Sequence, residues 1–97
     1  MGQSSRPRPA RLAEKLVRIR TALGLTQTEF LEELEVLGEI TQGMLSAYER
    51  DVREPPLLFL LTVSRNCLGG GEYLQNLADD EMELPRVLRP GTGKKKR

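Results

Sequence analysis

Two threonine–glutamine pairs, Thr26-Gln27 and Thr41-Gln42, restrict the fold of this chain more than any other feature. Threonine is a helix N-cap residue and a short amphipathic run follows each pair, so the middle of the chain reads as two short helices in succession. In the first, Thr26-Gln27-Thr28-Glu29 has the form of a capping box, in which Thr26 and Glu29 satisfy each other's backbone donors. A helix start also leaves N–H groups unpaired and carries partial positive charge. A glutamine placed there stands where a phosphate or another acceptor is drawn.

Three more helices flank this pair. Leu12, Leu16, Ile19 and Leu23 recur at helical spacing before Gly24, which predicts a helix over 10–23. Phe30, Leu31 and Leu34 form the inner face of a second helix over 27–36, and Gly38 breaks that pattern. Thr41 caps a third, with Met44, Leu45 and Tyr48 inward and Gln42, Gly43, Ser46, Ala47 and Arg50 outward. Pro55-Pro56 leads into a fourth, where Leu57, Leu58, Leu60, Leu61 and Val63 are apolar enough for a core helix. After Gly69-Gly70-Gly71, the stretch from Tyr73 to Ala78 predicts a shorter fifth helix, and Met82-Glu83-Leu84-Pro85 alternates in the manner of a short C-terminal strand. The expected fold class is all-α, a compact bundle of about five helices.

With no Trp, no His, two Phe and two Tyr in 97 residues, the core has to be built from aliphatic side chains, and the length suits one domain. Arg6-Pro7-Arg8-Pro9 cannot be helical, so residues 1–9 are expected to be a flexible basic arm, 10–85 the domain and 86–97 a disordered basic tail. Charge follows the same division. Leu12 to Pro85 holds six basic residues against all fourteen acidic ones, and the other nine cations lie outside it. Such ends can grip phosphates without sequence preference. Cys67 is the single cysteine, so no intramolecular disulfide forms and a small buried hydrophobe is the expected role. Met1 to Pro9 has no apolar stretch and no run approaches membrane-spanning length, which gives a cytoplasmic protein as the expectation.

Catalysis finds no support. Without histidine there is no ordinary acid–base triad or imidazole metal site, and one cysteine cannot make a zinc cluster. Asp79-Asp80-Glu81 and Glu83 lack the spacing of a calcium loop and read as a solvated turn. No catalytic residue, metal or cofactor is expected.

The ordered set Ile19-Arg20, Gly24-Leu25-Thr26-Gln27, Leu31, Leu34, Thr41, Leu45, Ser46, Tyr48-Glu49-Arg50 and Pro55 resembles the phage repressor and Cro-like helix-turn-helix family, also called the xenobiotic-response-element (XRE) family, from Leu16 to Leu77. The resemblance implies a lambda-repressor-like DNA-binding domain and a sequence-specific transcriptional regulator, a repressor or antitoxin-like autoregulator. It implies that Thr26 caps the helix from which Gln27 contacts a phosphate. Thr41 would cap a recognition helix over 42–51, with Gln42, Gly43, Ser46 and Ala47 facing the major groove and Arg50 and Arg53 beside the DNA backbone. Gln42 has the chemistry to bond adenine bidentately. A homodimer on double-stranded DNA is expected, meeting through Tyr73, Leu74, Leu77, Met82 and Leu84.

Two departures stand out. Glu35-Val36-Leu37-Gly38-Glu39-Ile40 adds about four residues to the short turn of the standard motif. Glu29, Glu32, Glu33 and Glu35 place acid on the helix before it. They leave a second reading open, in which the same fold serves as a protein–protein interaction module.

Overall fold

Apolar spacing and capping residues produce five α-helices in the computed structural model, which describes residues 9–89: α1 Leu12–Leu23, α2 Gln27–Glu33, α3 Gln42–Glu49, α4 Leu57–Val63 and α5 Leu74–Ala78. No strand occurs among the described residues, and the fold is an all-α bundle. α3 packs against both α1 and α2, while α5 packs against α1 and α4. The strand expected at Met82–Pro85 is irregular chain instead. Its carbonyls are taken by side chains: Met82 O accepts from Lys15 and Glu83 O from Asn76 Nδ2.

The first three helices end in the same way, with a left-handed residue just past the last turn. After α1, Gly24 (φ 72°) is followed by a bond from Leu25 N–H to Arg20 O at 3.2 Å. After α2, Glu35 (φ 63°) donates to Glu32 O and Val36 to Leu31 O, both at 3.0 Å. After α3, Asp51 (φ 60°) donates to Tyr48 O and Val52 to Ala47 O. This paired pattern satisfies carbonyls that a helix end otherwise leaves open. It also ends α2 at Glu33, three residues before the expected boundary. Glutamate tolerates a left-handed backbone poorly, whereas glycine adopts it freely. Glu35→Gly is therefore expected to raise the unfolding free energy by roughly 0.5–1 kcal/mol in urea titration. Asp51→Gly should gain less, because aspartate accepts this conformation more readily. A loss of stability at Glu35 would contradict this account.

The buried core runs Leu12, Leu16, Ile19 and Leu23 from α1, Phe30, Leu31 and Leu34, then Ile40, Leu45 and Tyr48, and finally Phe59, Leu60, Val63, Cys67, Leu68 and Leu77. Tyr48 and Phe59 join α3 to α4 with ring centroids 5.7 Å apart. α4 buries a narrower stripe than its composition suggests. Phe59, Leu60 and Val63 face inward, but Leu57 and Leu58 are exposed because they lie on the far side of its first turn. The helix continues as a π-helical stretch, Ser64–Leu68, ended by Gly69 (φ 106°). Cys67 is buried there, and desolvation, aided by Glu33, pushes its thiol up to about 12. It is an inert thiol.

A buried cation joins the first helix to the last segment. Lys15 has 0% exposure and its Nζ donates to Asn76 O, Asp79 O and Met82 O at 2.7, 2.9 and 2.8 Å. An ammonium has three N–H groups, and three carbonyls at the end of α5 take them. Burial pushes its pKa below the usual lysine value and Arg11 adds to this, while Asp80, Glu83 and Asp79 oppose it. Nearby, the Ala10 and Arg11 N–H groups each donate to the Asp80 carboxylate at 2.9 Å, and the Arg11 guanidinium donates to Asp80 O and Glu83. The hydrogen bonds from Arg11 and Ala10 N–H hold the Asp80 carboxyl below its ordinary value. Its contribution is thus present at neutral pH and is lost as pH falls through that depressed value. The acidic stretch read as a solvated turn is the clasp for the start of α1.

The domain also reaches past its expected boundary at residue 85. Leu88 N–H donates to Cys67 O at 2.7 Å, Arg89 Nη2 donates to Leu23 O at 2.8 Å, and Val87 packs on the core. Residues 86–89 therefore belong to the domain. The arm at 1–8 and the tail at 90–97 lie outside the described residues.

Candidate nucleic-acid interface

Capping fixes where the two glutamines stand. Thr26 Oγ1 accepts from Glu29 N–H at 3.1 Å while Glu29 Oε1 accepts from Thr26 N–H at 2.9 Å, so the capping box is formed. Thr41 Oγ1 accepts from Met44 N–H at 3.1 Å. Gln27 and Gln42 are thereby the first residues of α2 and α3. Between them the longer turn is ordered: Ile40 is buried, Val36 packs on the core, and Glu39 and Ile40 N–H both donate to Val36 O at 2.9 Å. Leu37 stays exposed.

Four side chains from three helices then form one chain of polar contacts. Arg20 Nε and Nη2 donate to Glu49 Oε2 and Oε1 at 2.7 and 3.0 Å. Arg20 Nη1 donates to Leu25 O at 2.8 Å, which ties the same guanidinium to the α1–α2 turn. Gln27 Nε2 donates to Glu49 Oε1 at 2.9 Å, and Gln42 Nε2 donates to Gln27 Oε1. The Glu49 side chain is 5% exposed and that of Arg20 is 18% exposed. A bidentate arginine–carboxylate pair at this depth is directional and poorly screened. The network runs outward from it: Gln27 is half-buried and Gln42 exposed.

Around α3, at about 100° per residue, Gln42, Gly43, Ser46, Ala47 and Arg50 fall within one arc of roughly 140°, opposite Met44 and Tyr48. Gln42, Gly43 and Arg50 are exposed, and Ser46 and Ala47 are half-buried. Arg53, also exposed, lies past the helix end. A Cβ on Gly43 would meet only Thr41 Oγ1, at 3.9 Å, so no contact within the chain calls for glycine there. The acids of α2 lie elsewhere. Glu29, Glu32 and Glu33 project about 140 to 240° around that helix from Gln27, and Glu33 is near enough to Cys67 to help raise its pKa.

The structure thus gathers Thr26, Gln27, Thr41, Gln42, Gly43 and Ser46 at one surface, with Ala47 on its edge and Arg50 and Arg53 at the far end of α3. It adds Arg20 and Glu49, which carried the family resemblance without an assigned role. Their signal in the sequence was a complementary charge pair in the last turns of two helices. The expected dimer residues fare differently. Leu77 is fully buried in its own core, Tyr73, Leu74 and Leu84 pack against that core, and Met82 is half-buried. Among the described residues no cluster of metal-binding side chains is found, and no helix is long and apolar enough to cross a membrane. Set beside protein-family models, curated proteins and solved structures, the chain matches none.

Proposed function

We propose that this chain is a sequence-specific DNA-binding regulator of the helix-turn-helix kind, a repressor or antitoxin-like autoregulator that inserts α3 into the major groove. The observation that carries the reading is the polar chain from Arg20 through Glu49 and Gln27 to Gln42. A glutamine reads adenine by presenting its amide oxygen and nitrogen together in a fixed plane, and a free side chain must lose rotamer entropy to do so. Here Gln27 has already oriented the amide. Both ends of the Gln27 amide are engaged within the chain, so Gln27 braces the reading residue and its expected phosphate contact falls to the remaining amide hydrogen.

Gly43 fits the same role. Glycine inside a helix costs about 0.5–1 kcal/mol relative to alanine, and internal packing does not ask for it at this position. Close approach of a base pair or sugar does. Backbone contacts fall to Arg50 and Arg53.

Gln42→Ala tests the proposal. In a random-sequence selection at moderate salt, the wild type should yield a defined site, and the variant should lose preference at one base position per half-site, at a cost of about 1–3 kcal/mol. Stability should be nearly unchanged, since Gln42 is exposed. Wild-type protein without any base preference would sink the regulator reading in favour of the interaction module. The exposed acids Glu29, Glu32 and Glu33 on α2 favour that alternative, which predicts that reversing their charge abolishes a protein contact.

A further inference from the structure

We infer that the groove between the turn after α2 and the start of α4 receives a short basic segment of another protein, in which one large apolar side chain is flanked by lysine or arginine. Val36 and Ile40 line it from the turn, and Pro56, Leu58, Phe59 and Thr62 from the other side. The space measures about 170 Å³. That is well short of the roughly 300–1,000 Å³ of a small-molecule pocket, but it admits one side chain. Next to the lining residues in the chain, Leu37 and Leu57 are 48% and 64% exposed, and Leu58 itself is 74% exposed. A polypeptide backbone laid across the groove covers such apolar surface, whereas a molecule confined to the hole leaves it wet.

Charge decides what the segment carries. The one charged residue lining the groove is Glu39, which is exposed and forms no ion pair among the described residues. It closes a stretch, residues 29–40, that holds five glutamates and no lysine or arginine. Glu33, close enough to Cys67 to help raise its pKa, puts a second carboxylate beside the stretch that continues α4. Arg65 on that stretch lies over Gly71 instead, where an added Cβ would meet its Nε at 3.9 Å. An apolar hole with unpaired carboxylates about it is complementary to an apolar side chain between cations. A second copy fits badly, because a two-fold axis through this face sets Glu39 near its own equivalent. The chain's own basic ends lack the anchor: residues 90–97 hold no large apolar side chain, and residues 1–8 hold only Met1, five positions before the first arginine. So small a contact is weak and transient.

None of Gln42, Gly43, Ser46 or Arg50 lines the groove, so the site stands independently of DNA reading and is tested without DNA. Panning a random dodecapeptide library with the full chain should enrich peptides that hold Leu, Met or Phe with Lys or Arg a few positions away. One enriched peptide, fluorescently labelled, is then the probe. Its affinity should fall roughly tenfold or more when its apolar residue becomes serine, and as far on Thr62→Arg or Glu39→Lys in the protein. Circular dichroism should report both variants folded, and Glu39→Lys, at an exposed position, decides the matter even where Thr62→Arg unfolds. Panning with Glu39→Lys should move the preference from basic toward acidic flanks. No enrichment, enriched peptides without cations, or a probe indifferent to the serine substitution or to Glu39→Lys would each overturn the inference. So would reversible self-association of the wild type that Thr62→Arg abolishes, which would give the groove to a second copy. A wild type that binds the probe but shows no base preference would remove the DNA-reading proposal and leave this site standing.

Discussion

Lys15→Met is expected to lower the unfolding free energy by about 3 kcal/mol or more, a large share of what a domain of this size possesses. Methionine keeps most of the aliphatic volume, so the change isolates the ammonium. Three carbonyls, Asn76 O, Asp79 O and Met82 O, lose a charged donor together. An unsatisfied buried acceptor costs about 1–3 kcal/mol, and relief of the ammonium's own desolvation offsets part of the total. Urea titration gives the magnitude. Native-state hydrogen exchange should place the loosening in α5 and residues 79–89 first. A loss below about 1 kcal/mol would mean that water replaces the ammonium and that the clasp contributes little.

Glu49→Ala should have the second large effect, and on two readouts. It strips Arg20 of both carboxylate bonds in a nearly buried setting, where breaking a pair by removing one partner costs about 3 kcal/mol. It also removes the acceptor that holds Gln27, and with it the brace on Gln42. If α3 reads DNA as proposed, then at a temperature where the variant is folded the preferred site should be bound roughly tenfold more weakly, equivalent to about 1.4 kcal/mol. Arg20→Ala supplies the control. It should cost comparable stability while leaving the bonds from Gln27 to Glu49 and from Gln42 to Gln27 available, so selectivity should fall less. Equal losses of selectivity in the two variants would show that fold integrity alone, and not the orientation of Gln42, governs binding.

The N-terminal half of this architecture is legible in the sequence because its signals are local. Thr26 with Glu29, Thr41 with Met44, and the spacing of Leu12, Leu16, Ile19 and Leu23 each act within a turn or two, and each is formed. What escapes the sequence acts at a distance. Nothing in the sequence around Lys15, between Leu12 and Leu16, marks its burial, and its partners are backbone carbonyls some sixty residues away that no residue type announces. Asp80 binds the start of α1 by the same remote logic. Glu35 and Asp51 escape because their left-handed conformation is one that glycine usually marks.

At the candidate site the surface row of α3 follows from periodicity alone, whereas the join between Gln27 and Gln42 depends on how α2 and α3 cross. The seven residues between α2 and the N-cap Thr41 make that crossing unreadable in advance. Leu57 and Leu58 mislead for the opposite reason. Apolar composition predicts burial, and only the direction of the first turn of α4 shows that two leucines project outward.

The clasp on α1 also sets an order of events in synthesis. α1 leaves the ribosome before the segments that secure it, for its start is held by residues 76–83 and its last turn by Arg89. Contacts of such long sequence separation form only after the intervening chain has emerged. A nascent or prematurely terminated chain lacking this segment therefore carries an ammonium at position 15 without its three carbonyl acceptors, on a helix whose apolar face is only partly covered. Residues 76–89 have to emerge from the ribosome before this end of the bundle can close.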